Sequence, residues 1–227
     1  MTDTITTTNT ITTTDTSTIT IPNLNTQTKT KTKTTSLLKV ITEFCIISIL
    51  LAGAGFLLGS LHAHQWILFT VLVIILVVGM RMLFIRFKVG AYYKLIGFFM
   101  TACIGTACEF WGTYHHYWTY HLIPSYQLIP VWIPIAWGYT FFVSYLYERC
   151  VFKLAANRAQ KLFWLLLVSI FFPTVGEYIP VYMNVWTYHW PYQVMGVPLL
   201  ASAGLSTIHL LVYRILRAIY TARGHKL

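Results

Sequence analysis

The sequence predicts an all-α polytopic membrane protein of about six transmembrane helices, with a helical hairpin repeated in tandem and in parallel. Three observations carry this expectation: the composition, the spacing of long apolar runs, and the placement of the basic residues. Of the 227 residues, 56% are hydrophobic and only 10% are charged, whereas soluble domains carry about 25% charged residues. Lipid is therefore the expected surrounding for most of the chain.

Apolar runs stand at Leu37 to Leu61, Trp66 to Leu83, Leu95 to Trp111, Leu128 to Tyr147, Leu162 to Val181 and Val194 to Ala218. Each approaches the ~20 residues a helix needs to cross ~30 Å of hydrocarbon. Their continuity argues against a barrel, whose strands alternate polar and apolar over about ten residues. Pro173, Pro180 and Pro198 fall near segment ends or at kinks that neighbouring helices can satisfy.

The net charge of +10 is explained by where the sixteen basic residues fall. Lys29, Lys31, Lys33 and Lys39 precede the first run, and Arg81, Arg86, Lys88 and Lys94 lie between the second and third. Arg149, Lys153, Arg158 and Lys161 lie between the fourth and fifth, and Arg214, Arg217, Arg223 and Lys226 close the chain. In a six-helix arrangement all of them share one side. The positive-inside rule then puts both termini in the cytoplasm, and the expected location is a bacterial cytoplasmic membrane. Anionic headgroups account for this charge, so membrane lipids are expected partners and nucleic acid is not.

Residues 1–36 are of different material. Eighteen of the first thirty-five are Thr, too few apolar groups to offset ordering entropy, so a disordered cytoplasmic tail is expected. It lacks the basic start, apolar run and cleavage site of a signal peptide, so the first helix is expected to stay attached. The membrane domain spans 37–218, and 219–227 reads as a basic C-terminal tail. Cys45, Cys103, Cys108 and Cys150 lie within helices or at a cytoplasmic end and read as small apolar filler rather than disulfide partners.

An offset of 68 residues aligns Glu109 with Glu177, Tyr114 with Tyr182, Trp118 with Trp186, Thr119 with Thr187, Tyr120 with Tyr188, His121 with His189 and Pro130 with Pro198. The repeat units run over about 95–150 and 162–218. Two helices separate equivalent positions, so the copies share an orientation, which makes the repeat parallel rather than inverted. Each acid stands about 23 Å from the basic anchors Lys94 and Lys161 at 1.5 Å per residue, in the outer third of the bilayer. Ionisable groups at such depth face a bundle interior or a watery cavity. Two of them converging from sister helices would leave a proton available for general acid work.

Plainer readings stand beside this one. The aromatics at Trp118, Tyr120, Trp186 and Tyr188 sit where interfacial belts occur for solvation alone. Either carboxylate would equally serve to hold an outer loop by accepting bonds from Tyr or Trp of its own repeat. Glu43 reads as snorkelling beside Lys39. His209, whose equivalent is Phe141, reads as facing a cavity or as a hydrogen-bonded packing residue. Six scattered acids exclude an Asp-rich prenyl-diphosphate site, and no helix interior offers a lysine for a retinal Schiff base. His115, His116, His121 and His189 share a side with the two acids, but one HH pair is far from the several boxes of membrane desaturases. No metal or other cofactor is expected.

The spacing of Glu109, Thr113, Trp118 and Tyr120, followed by a proline-containing helix start, resembles the repeat of integral-membrane carotenoid biosynthesis proteins, which include membrane-type lycopene cyclases and carotenoid hydratases. The second copy keeps Glu177, Trp186 and Tyr188 but has Val181 at the Thr position. MGVPLL at 195–200 is similar to a GVPL segment of the hydratase group. The likeness covers residues 95 to 215. It departs at Ala136 and Trp137, where the cyclases carry paired glutamates, and at LLASAG (199–204), which lacks the asparagine found after GVPL in the hydratases.

The resemblance implies a protein acting on an apolar isoprenoid lipid, by proton-initiated addition or isomerisation at an alkene near the outer interface. Glu109 or Glu177 would supply the proton, and His121 and His189 would orient the acids or relay protons. Trp118, Tyr120, Trp186 and Tyr188 would bind substrate and stabilise cationic charge through their π faces. The competing expectation is a non-enzymatic lipid or pigment binder, or a small transporter. A third is a purely structural pair of hairpins within a larger complex.

Overall fold

The computed structural model describes residues 37–86 and 88–222; the Thr-rich tail and the end of the basic C-terminal tail lie outside the described residues. The chain is mostly helical. Its order is α1 (Leu37–Leu61), α2 (Gln65–Arg86), α3 (Lys88–Tyr114), β1 (Trp118–Tyr120), α4 (Ile133–Val151), a 3-10 turn (Phe152–Leu154), α5 (Arg158–Tyr182), β2 (Trp186–Tyr188), β3 (Gln193–Val194), β4 (Val197–Pro198) and α6 (Leu199–Ala222).

Helices α1, α2, α3, α5 and α6 are long and apolar enough to cross a membrane, and the chain is an integral membrane protein. α4 is not among these five. Its 19 residues include Trp137, Tyr139, Tyr145, Tyr147, Glu148 and Arg149. The physical reason lies in its position. α4 packs against α3, α1 and α5, and contributes Trp137, Phe141 and Tyr147 to three successive hydrophobic clusters along the bundle. A helix enclosed by protein needs no lipid-soluble outside, so its composition is free to be polar and aromatic.

Two of the helix starts fall later than the apolar runs. Pro134 stands in the first turn of α4, where its missing N–H costs nothing, and the helix begins at Ile133 rather than near Leu128. Before α6, Met195 and Gly196 both have positive φ (54° and 82°) and close the β3–β4 hairpin, register Gln193↔Pro198 and Val194↔Val197. Two left-handed residues in succession make the tight turn whose twist suits paired strands. Helix α5 starts on a side-chain cap: Asn157 accepts from Gln160 N (2.9 Å), and Gln160 Oε1 accepts from Ala156 N (2.7 Å).

Long-range contacts fix the ends of the bundle. Glu43 near the start of α1 pairs with Lys153 just past α4. At the other end, Gly59 of α1 lies against Met183 after α5, and Gln65 Oε1 at the start of α2 accepts from Val131 N (3.2 Å). The short strands therefore belong to the end away from Lys153.

Helices α3 and α4 approach through reciprocal notches. The Phe141 ring covers Gly97 and the Phe98 ring covers Gly138, so a Cβ at either glycine would overlap an aromatic ring. We expect Gly97→Val and Gly138→Val each to destabilise by about 1–3 kcal/mol through overpacking, lowering the melting temperature by several degrees in detergent. Gly53→Val, at a position where an added Cβ meets nothing, should leave it unchanged.

Candidate functional site

The two WTYH phrases meet in space. β1 and β2 pair antiparallel with Trp118 opposite Tyr188, Thr119 opposite Thr187 and Tyr120 opposite Trp186. Backbone bonds extend the ladder at both ends, from His121 N to Val185 O (2.9 Å) and from His189 N to Tyr117 O (2.8 Å). The entry to each strand is the same. At the end of α3, His116 has φ 58° and Tyr117 N reaches back to Gly112 O (2.9 Å), with His116 N to Thr113 O (3.1 Å). At the end of α5, Asn184 has φ 57°, with Val185 N to Pro180 O (2.9 Å) and Asn184 N to Val181 O (3.0 Å). Both are helix C-caps with one left-handed residue, and every pair of equivalent atoms is 68 residues apart.

Alternation along the ribbon separates two chemistries. Trp118, Tyr120, Trp186 and Tyr188 share one face, and Tyr120–Trp186 and Trp118–Tyr188 meet edge to face with centroids 5.6 and 5.7 Å apart. This face turns to the acids. Glu109 Oε2 accepts from Trp118 Nε1 (2.8 Å) and Tyr120 Oη (2.7 Å), while its Oε1 accepts from Trp137 Nε1 of α4 (3.0 Å). Glu177 Oε2 accepts from Tyr188 Oη (2.8 Å). Trp186, the counterpart of Trp118, turns its indole toward the Glu177 carboxyl as a donor, but its buried Nε1 stands too far or too oblique to complete a hydrogen bond among the described residues.

The two carboxyls are thus held unequally. Leu205 stands where a second Trp137 would be needed at the 68-residue offset. The helix faces differ as well. Glu109 continues the buried stripe of α3 through Phe98, Ala102 and Gly105, whereas Glu177 lies two turns along from Ile170 on an exposed stripe of α5 that includes Phe163 and Leu166. The two carboxyls are themselves alike in being only partly exposed, and Glu109 lies within electrostatic reach of Glu177. Burial, with Glu109 beside it, pushes the Tyr120 hydroxyl well above the ordinary phenol range, and burial with Glu177 does the same for Tyr188. Both phenols therefore stay donors at neutral pH.

The opposite face of the ribbon carries the histidines. His121 Nε2 bonds Thr187 Oγ1 (2.8 Å) and His189 Nε2 bonds Thr119 Oγ1 (3.1 Å), each across the strands and exposed. They lock the register and do not touch either carboxyl. His115 packs among Trp111, Tyr114 and Tyr117. Among the described residues, no three His, Cys, Asp or Glu side chains gather as a metal would need. Thr113, part of the spacing singled out in the sequence, bonds the Glu109 carbonyl (2.7 Å) rather than its carboxyl.

Two pairings escape the sequence reading. Trp137, noted in the sequence only as standing where the cyclases carry a glutamate, lies 28 residues beyond Glu109 and outside the repeated phrase, so its bond to that acid goes unforeseen. Glu148, which the sequence reading does not single out, is buried within α4 and bonded to His209 Nε2 (2.5 Å).

The unequal donor sets predict unequal mutants. Glu109→Gln introduces an NH₂ that must face either the Trp137 indole or the Trp118–Tyr120 pair, a donor against donors, at about 1–3 kcal/mol. Glu177→Gln keeps the Tyr188 bond through its carbonyl and should cost under about 1 kcal/mol. Thermal melting of the purified variants should separate them by several degrees, and equal melting temperatures would contradict the arrangement. Searches of family models, curated proteins and solved structures returned no match to this chain.

Proposed function

We propose that this protein modifies a long isoprenoid lipid, of carotenoid type, by proton-initiated addition or isomerisation at an alkene, with Glu177 as the acid. The observation that carries the reading is the inequality of the two carboxyls. Glu109 has every oxygen engaged and serves as a positioning residue that holds the aromatic ribbon. Glu177 accepts one hydrogen bond, from Tyr188 at Oε2, with the Trp186 indole beside the carboxyl, and leaves Oε1 without one among the described residues. That oxygen is where a transferable proton would be carried.

The step balances without a further reactant for isomerisation. The Oε1–H bond breaks as a C–H bond forms on the alkene, leaving a tertiary carbocation and the Glu177 carboxylate. The carboxylate then takes a proton from the carbon on the other side, giving a shifted double bond. For hydration, water adds to the cation and returns its extra proton to Glu177. The nearby aromatic faces of Trp186 and Tyr188 favour the cationic intermediate, and Tyr188 keeps the carboxyl oriented.

In this reading the bundle has six spans, with α4 as the sixth, because it joins the strand-bearing end to the Lys153 end as the other helices do. Both termini lie in the cytoplasm of a bacterial cell, on the side where the basic residues collect. The two helix–turn–strand units are copies of one hairpin, a view supported by the shared offset of 68 in caps, strands and acids.

A non-enzymatic reading, in which both carboxyls only clasp the ribbon, is favoured by one observation: each acid bonds aromatic groups of its own hairpin. Mass spectrometry of total lipid extracts from a carotenoid-producing host decides between the two. With the wild type we expect a product heavier by one water, or a same-mass isomer of new retention, and loss of more than about 100-fold in Glu177→Gln at matched protein level. Identical extracts from folded wild type and variant would select the clasp.

A further inference from the structure

Midway along the bundle, α3, α4, α5 and α6 enclose a small cavity that the repeat does not explain. Its wall includes Thr101, Trp137, Ser144, Ser169 and His209, one or more polar side chains from every helix around it. Thr101 and Ser169 are each 3% exposed, and their hydroxyls have no hydrogen-bond partner in the protein. An unpaired buried hydroxyl is destabilising, and two around one cavity of sufficient size are the arrangement that internal water satisfies. At one side of this cavity, His209 turns its Nε2 to Glu148 Oε1 at 2.5 Å, both residues buried.

We propose that the cavity is a hydrated proton-binding site, in which water held by Thr101 and Ser169 exchanges a proton with the His209–Glu148 pair. On uptake, a hydronium-bearing water gives up a proton and an N–H bond forms on the imidazole, so the pair becomes imidazolium against carboxylate. Release reverses this, and no other bond changes.

The surroundings of the pair define what else can respond to pH. From α3, Tyr93 is within electrostatic reach of Glu148, and Lys94 lies over the Tyr145 ring at 5.1 Å. α4 itself carries Arg149 beside Glu148, and α6 adds Tyr213 and Tyr220 around Tyr93. α5 faces the cavity with Ser169 and Phe172, and α1 meets α4 through Ser48 and Tyr147, its Glu43 being paired with Lys153. This inference does not depend on the lipid chemistry proposed above.

Two measurements on the full-length protein test it. Thr101→Val and Ser169→Ala should each lower the melting temperature by about 2–4 °C if the hydroxyls hold water, since a bond is lost and the water stranded. In a dry cavity the same changes remove an unsatisfied group and raise it. Infrared difference spectra of the protein in lipid nanodiscs, stepped from pH 8 to pH 5, should contain coupled imidazole and carboxylate changes that vanish in His209→Asn. A rise in melting temperature in both hydroxyl variants, or spectra unaffected by His209→Asn, would overturn the proposal. Should His209→Asn fail to fold, absence of the imidazole change in the wild type would do the same.

Discussion

A carboxylate removed from water must be given donors, and much of the strand-bearing end of this molecule follows from that. Glu109 accepts from two indoles and a phenol, charge-assisted bonds worth about 1.5–3 kcal/mol each when made and costly when missing. To deliver Trp118 and Tyr120 to one oxygen, the chain must stop its helix at Tyr114, turn through a left-handed residue and run extended for three residues. Extended backbone in turn exposes peptide groups that need partners, and β2 supplies them. The ribbon is thus the backbone's answer to a demand that begins at a side chain.

That ribbon sorts its residues by function. The face toward the acids is aromatic and bears N–H and O–H tips; the other holds two His–Thr bonds that cross between strands. Near-symmetry of the backbone does not extend to the side chains that reach in from the bundle. Trp137 and Leu205 occupy corresponding positions, so one acid is fully engaged and the other retains an oxygen in reserve. Backbones this similar thus carry donor sets this different.

The sequence is most legible where periodicity and offset speak. Five of the apolar runs correspond to helices able to cross a membrane, α1 with the same limits, because lipid exposure enforces continuous hydrophobicity. The fourth run, enclosed by protein, is under no such demand, which is why α4 carries its aromatic and charged residues. The acids and WTYH phrases meet as the offset suggests, and the carboxyls bond aromatics of their own hairpins, as one of the plain readings holds. What spacing cannot convey is partnership between distant helices: Trp137 with Glu109, or Glu148 with His209, joins positions 28 and 61 residues apart with no shared motif. Side-chain alternation within the strands, too, depends on recognising a three-residue strand in what reads as an interfacial belt.

The distances along the chain between each acid and its partners bear on how the protein is made. Glu109 finds Trp118 and Tyr120 nine and eleven residues further on, and Glu177 finds Tyr188 eleven further on. Each acid therefore enters the bilayer with donors that follow it immediately from the ribosome, before the ribbon or α6 exists. Trp137 arrives only when α4 folds back on α3. A segment that would be penalised for its charge during insertion is in this way escorted by its own sequence, and the long-range bond is added afterwards as a latch on a hairpin already in place.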